Sequence, residues 1–403
     1  MPLLLMIVVL SGVISLQGSW FPSLLTGVVD VALVQIAVIL IAVLALMSGL
    51  QPSKLFNREA EFTLDFGKIQ KCESLLLLVW LVASLLTCFL SDWPQICVSW
   101  SPSSSFFRSL LFFGPLMGSL LTIWTLVAMQ RQSSCRSVAE EVVDRLKLQA
   151  LTLLIPLLAF MLICDVVAGL VDIHSEFQWL GGVVALGWVV VSLPWLMRWI
   201  LSSRSISKTE LGRHLMNLSF EKRTSVADVR IWDTGNRLLN GMVVGMFPLG
   251  RTVFLTDRLL QIMEVSEIES VFLHELGHVK RRHMIIRFLA SFLTFCCVFV
   301  IARFFVPSDS LAVTVGGLMS VLAMGYCARS LEFDADRFAC QAIAEGTPLD
   351  FGRATLSSYC SALEKIALDH PAAAKESWLH HSSAKRIQAI QSTTPVASRS
   401  IIN

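Results

Sequence analysis

Charge is what this sequence has least of. Asp, Glu, Lys and Arg make up 15% of its 403 residues, hydrophobic residues make up 55%, and the mean hydropathy is +0.68. A soluble domain carries about 25% charged residues, so a soluble globular fold is excluded and a polytopic membrane protein is expected. The net charge is only +2 and no basic run is interleaved with aromatics, which excludes nucleic acid as a partner. The ten cysteines include no CxxC pair, which excludes a cysteine-type zinc ribbon. Cys88, Cys164, Cys296 and Cys297 lie in apolar runs and read as small apolar filler, not as a disulfide framework. The opening stretch MPLLLMIVVLSGVISL has no basic n-region and no clear small-x-small cleavage site. It is therefore expected to stay as a first span.

Apolar stretches near the roughly 20 residues needed to cross a bilayer run over 2–17, 27–49, 74–90, 106–128, 150–171, 178–200, 284–305 and 310–328. Lys and Arg alternate between the connections. The segments 51–73, 130–149, 201–283 and 329–403 are basic, and 18–26, 91–105, 172–177 and 307–309 have none. The positive-inside rule then places the basic segments and both chain ends in the cytoplasm. Trp20, Trp93, Trp100 and Trp179 fall where an outer aromatic belt would lie. The expected organisation is a six-span region over 1–200, a hydrophilic half-domain over 201–283, a membrane hairpin over 284–328 and a second half-domain over 329–403. Within the first half, VADVRIWDTGN and RTVFLTD alternate like strands, predicting a small antiparallel sheet. Asp165 lies within the fifth span. An intramembrane carboxylate is either functional or a partly wet position near the span's end.

The chemistry concentrates in HELGH. His274 and His278 are four residues apart, so on a helix both imidazoles share one face and can share an ion. Glu275 follows the first His, placed to act as general base on an attacking water. A catalytic zinc needs three protein ligands and an open position. A metzincin third ligand would need Gly at 281 and His at 284, where Arg281 and Met284 stand. His283 is five residues beyond His278, rotates off the shared face and reads as interfacial beside Lys280, Arg281 and Arg282. In RSLEFDADRFA, Glu332 and Asp336 are four apart. Glu332 could ligate the metal and Asp336 could accept an N–H from a ligating His; an ordinary acidic helix face is the alternative. The 284–328 run is long enough for two crossings but not three. Two crossings return Glu332 to the side that His274 and His278 occupy.

These residues in this order, HELGHVKRRH, a membrane hairpin and EFDADRFA, resemble the family-48 metallopeptidases, the CAAX prenyl proteases and HtpX-type heat-shock proteases. Upstream, NGMVVGMFPLGRTVFLTDRLL resembles the family's strand region; downstream, HHSSAKRI resembles its HPxxxxRI. His381 stands where the family usually has Pro, and Gly241 where Ala is common. The resemblance, over about residues 225–392, implies a mainly α, gluzincin-like zinc endopeptidase (EC 3.4.24 class) with one Zn2+ per chain. It implies His274, His278 and Glu332 as ligands, Glu275 as base and Asp336 as their support. It also implies Asn240 beside a substrate-pairing strand, and His380 and Arg386 as oxyanion stabilisers.

The expected activity is hydrolysis of membrane-associated peptides or proteins at the cytoplasmic face of a bacterial inner membrane, close to the bilayer surface. The rivals are a sensor-type signalling peptidase, whose second motif reads more like ExxCD where Ala335 stands here, and a non-catalytic scaffold.

Overall fold

A computed structural model describes residues 27–48, 66–131, 137–170, 178–236, 238–305, 309–345, 354–369 and 381–393. The expected first span, 2–17, lies outside them. The chain forms two compact units, residues 1–189 with 308–314, and residues 190–307 with 315–403.

The first unit is helical: α1 (Val28–Ser48), α2 (Phe66–Leu90), α3 (Trp93–Trp100), α4 (Ser105–Arg131), α5 (Val138–Arg145) and α6 (Thr152–Leu170), with a π-helical turn at Leu146–Leu151 joining the last two. Helix α7 (Gln178–Ile200) straddles the division between the units. On α1 the exposed residues Val29, Leu33, Ile36, Leu40 and Leu44 recur every three or four positions, while Val31, Gln35, Val38 and Ala42 are buried. Apolar side chains thus face both outward and inward, as a helix in lipid requires. Polar contacts join the bundle inside: Gln35 Nε2 donates to Thr87 Oγ1 (3.2 Å), and Ser119 Oγ donates to Gln35 Oε1 (2.7 Å). Asp165 accepts from Ser104 Oγ (2.8 Å) and from the backbone N–H of Ser105 (3.0 Å) and Phe106 (2.8 Å). It satisfies the orphan donors at the start of α4, so its role is to cap a helix. The expected outer connection 91–105 contains α3. Its Trp93 is buried and donates to Phe112 O (3.2 Å), while Trp100 is exposed; of these two, only Trp100 has the exposure a belt residue needs.

The second unit has β1 (Ser203–Ser205), α8 (Glu210–Glu221), β2 (Asp228–Trp232), β3 (Gly241–Val244), β4 (Thr252–Thr256), α9 (Asp257–Ile262), α10 (Val265–Lys280), α11 (His283–Phe305), α12 (Asp309–Glu345), α13 (Leu356–Asp369) and α14 (Ser383–Thr393). The sheet order is β1-β2-β4-β3. The two strands foreseen from sequence, β2 and β4, run parallel, whereas β1–β2 and β3–β4 are antiparallel. The sheet is therefore mixed where an antiparallel one was expected. Its cause is β3, which reverses the chain between β2 and β4 and leaves β3 at the edge. Strand β4 is buried at every position, as a central strand should be.

Six helices or helical runs among the described residues are long and apolar enough to cross a membrane: α1, α2, α4, the α5–α6 run, α7 and α11. The expected eighth span, 310–328, is not among these six; it forms the first half of α12, a 37-residue helix that continues unbroken through EFDAD. Ser320 Oγ donates to Ser291 O (2.9 Å) and ties α12 to α11. Helix α10 is buried from Glu267 to Val279 and starts with a capping box in which Glu267 accepts from the Glu264 N–H (2.8 Å). Gly277 makes its contact with α12 possible: a Cβ there would lie 3.0 Å from both the Cα and the O of Ala335. Gly277→Val is expected to wedge the two helices apart, lowering stability by about 1–3 kcal/mol and lowering metal content. Thermal unfolding and metal analysis of the detergent-solubilised protein check both.

Candidate metal centre

His274 and His278 sit on the buried face of α10, and Glu332 reaches them from α12. His274 Nε2 and His278 Nε2 are 3.3 Å apart, and the Glu332 carboxylate oxygens lie 3.7 Å from the first and 3.6 Å from the second. Among the described residues this is the group of His, Cys, Asp or Glu side chains that could hold a metal ion, and all three members are buried. A tetrahedral ion with bonds of about 2.0–2.1 Å separates its ligand atoms by roughly 3.3–3.4 Å. The two nitrogens and the carboxylate therefore fit such an ion with little movement.

Each ligand is held from behind. His274 Nδ1 is 2.9 Å from Asp336 Oδ1, the carboxylate–histidine support foreseen for Asp336. Arg386, on α14, clamps Asp336 through Nε to Oδ2 (2.9 Å) and Nη2 to Oδ1 (2.6 Å). Tyr359, on α13, donates to Asp336 Oδ1 (2.5 Å), and its oxygen lies 3.1 Å from His274 Nδ1. Arg287 Nη2 donates to Glu332 Oε1 (3.3 Å).

His283 is not interfacial. It is fully buried, with Nδ1 2.9 Å from His278 Nδ1 and Nε2 3.0 Å from Asp334 Oδ2. Helical projection failed here because the helix stops. Lys280 ends α10, Arg282 takes a left-handed φ of 55°, and His283 opens α11 turned back toward the site.

Asn240 is exposed and directly precedes β3, with its N–H donated to Thr256 Oγ1 (3.1 Å). Beside it, a Cβ on Gly241 would lie 3.0 Å from Val271 Cγ1 and 3.6 Å from Glu275 Cγ, so β3 runs close against the helix at Glu275. His381 stacks its ring on Phe333 at 4.2 Å, holding the start of α14 against the EFDAD segment. His380 lies outside the described residues.

The electrostatics follow from burial. Burial raises the Asp336 carboxyl, but the Arg386 charge and the His274 hydrogen bond outweigh it and hold the group far below the usual carboxylate range. Burial and then Asp336 push the Tyr359 hydroxyl well above its ordinary value, which keeps it a donor. Burial, and after it the charge on His274, push His278 down to about 2, so it is neutral, the ligating form. Burial and Arg386 lower His274, yet Asp336 and Glu332 together lift it above an ordinary imidazole. Tyr359, Asp334 and Arg287 were not singled out by the sequence, and His283 was placed at the interface. Only the neighbouring HELGH and EFDAD motifs marked the region, and nothing in the spacing linked Tyr359 to His274, 85 residues away.

Two outcomes are expected. Asp336→Leu removes the acceptor behind His274 and should weaken metal binding about 10–100-fold, read by chelator competition. Because the His274 proton is held more tightly than usual, proton competition for its Nε2 extends above the ordinary value of 6.5. Metal affinity should therefore still be rising with pH past that point in a titration.

Residues 216–394 match the sequence model described as Peptidase family M48. A protease HtpX homolog of Moorella thermoacetica is 27% identical over 173 residues, 38% of this chain and 56% of that protein. One from Pelotomaculum thermopropionicum is 31% identical over 90 residues, 22% of this chain and 32% of that protein. The chain thus spans little more than half of the first relative and about a third of the second. The crystal structure of S. mikatae Ste24p matches with a TM-score of 0.51 at 15% identity, over 89% of this chain and 98% of that one, a likeness of fold.

Proposed function

Since residues 216–394 belong to peptidase family M48, we propose that this multi-pass membrane protein is a zinc-dependent endopeptidase cutting membrane-associated proteins or peptides at the cytoplasmic face. The observation that carries the reading is the buried His274–His278–Glu332 group, its nitrogens 3.3 Å apart and its carboxylate oxygens 3.7 and 3.6 Å from them, with the buried Glu275 on the same helix as the two histidines.

His274, His278 and Glu332 would hold one zinc ion. When bound, the ion supplies Lewis-acid polarisation of the scissile carbonyl and activation of the attacking water. Glu275 follows the first ligand on α10, and its Cγ lies 3.6 Å from where a Cβ on Gly241 of β3 would be; it is the base in this reading. It takes the proton from the attacking water as the new C–O bond forms, then delivers it to the departing amine nitrogen. Strand β3 is the last in the sheet order, so its outer edge can take an extended substrate backbone by strand addition. Asn240 sits at the head of that edge and guides the peptide. Gly241 keeps the strand close enough for the peptide to pass over Glu275.

His380 is assigned to the developing oxyanion. Arg386 is clamped to Asp336, with Nη1 4.0 Å from Glu332 Oε2, and contributes to the same end through its fixed positive charge behind the ligands. The basic segments flanking the hairpin assign the peptidase half to the cytoplasm, with a bacterial inner membrane as the setting.

Glu275→Gln should bind zinc like the wild type and lose at least about 10²-fold in turnover. Comparative proteomics of cells carrying the wild type and this variant would show which proteins accumulate uncut. Undiminished cleavage by the variant would overturn the assignment of the base.

A further inference from the structure

The two histidines of HELGH are backed by different chemistry. Behind His274 stands a carboxylate, Asp336, in direct contact (2.9 Å) and locked by Arg386 and Tyr359. Behind His278 stands another imidazole, His283, with Nδ1 facing Nδ1 at 2.9 Å. Beyond His283 Nε2, at 3.0 Å, lies Asp334 Oδ2.

Two facing ring nitrogens at hydrogen-bond distance must share a single hydrogen. With two hydrogens they clash, and with none their lone pairs repel. His278 ligates through Nε2, which points at His274 and Glu332, so its hydrogen sits on Nδ1. His283 Nδ1 is then the acceptor, its own hydrogen sits on Nε2, and that hydrogen meets the Asp334 carboxylate. The opposite assignment puts a hydrogen on His278 Nε2 and removes it from the metal. The geometry therefore admits one chain of donors and acceptors: His278 Nδ1–H to His283 Nδ1, then His283 Nε2–H to Asp334 Oδ2.

The local fold keeps this chain in place. Arg281 N–H donates to Gly277 O (3.0 Å) and Arg282 N–H to Val279 O (3.1 Å), closing α10; Arg282 O accepts from Ile285 (3.0 Å) and Ile286 (3.1 Å), opening α11. Between these, the left-handed Arg282 aims His283 backward. His283 has no exposed surface, whereas Asp334 is about one-third exposed and lies 3.8 Å from Arg281 Nε. The middle acid of EFDAD, on a different face of α12 from Glu332 and Asp336, thus has a task of its own.

We propose that His283 and Asp334 are positioning residues that fix the tautomer and ring plane of the metal ligand His278, a second relay independent of the one through Asp336. The proposal rests on His278 being a metal ligand.

The test is zinc affinity of the full-length protein in detergent, by chelator competition, with cobalt absorption spectra as a second readout. His283→Phe keeps the aromatic volume and removes the acceptor. His283→Asn loses volume but places Oδ1 near the position of Nδ1. Zinc affinity should fall about 10–100-fold in His283→Phe and recover most of that loss in His283→Asn, with the cobalt spectrum altered only in the former. Asp334→Ala, at a partly exposed position that tolerates truncation, should weaken zinc several-fold in the wild type and have no further effect once His283 is Phe. If Phe binds zinc like the wild type, or Asn is as weak as Phe, His283 is a packing residue and the proposal is overturned. If Asp334→Ala leaves zinc affinity unchanged in the wild type, the relay's far end is overturned. A wild type that binds no zinc overturns the metal-site reading itself, a result distinct from unequal variants of a zinc-binding wild type.

Discussion

The candidate metal centre depends on one close contact, α10 against α12 at Gly277 and Ala335. Two of the candidate ligands ride on the first helix and the third on the second, so the three side chains meet only while these backbones nearly touch. A glycine at the contact permits the approach, and an alanine opposite keeps it tight. The sensor-type alternative would have put a cysteine at 335, and the extra sulfur would stand at this contact. The chain between the two helices runs along the apolar α11 and returns along the first part of α12, which Ser320 ties to Ser291 as a hairpin.

That hairpin is more than a connection. Its first helix supplies His283 behind one ligand and Arg287 behind another, and its second is continuous with the helix bearing Glu332. The three side chains that could hold a metal are thus supported from α11, α12, α13 and α14. This arrangement restricts ring rotation and carboxylate swing more than the ligand helices alone could.

What was legible in the sequence was local or topological. The four-residue spacing in HELGH fixes one helix face, and Glu332, expected beside the histidines, does meet them. Six of the eight expected apolar runs correspond to helices long and apolar enough to cross a membrane, because lipid demands unbroken hydrophobic helices. The illegible parts needed contacts between distant segments. Tyr359 meets Asp336 only after α13 packs on α10. Nothing in the sequence joined Asp334 to His283, because His283 turns back only through a left-handed Arg282. The sheet's parallel pair was hidden by β3, whose four residues, GMVV, lack the alternation that marks a half-buried strand.

The unbroken course of α12 also acts as a ruler. The apolar stretch ends near Ala328 and Glu332 follows four residues later in the same helix, which is about 6 Å at 1.5 Å per residue. No loop lies between them to lengthen or bend. The distance of Glu332 from the end of the apolar stretch is therefore set by covalent geometry, and an ion held there would shift relative to that stretch only if the helix itself bent.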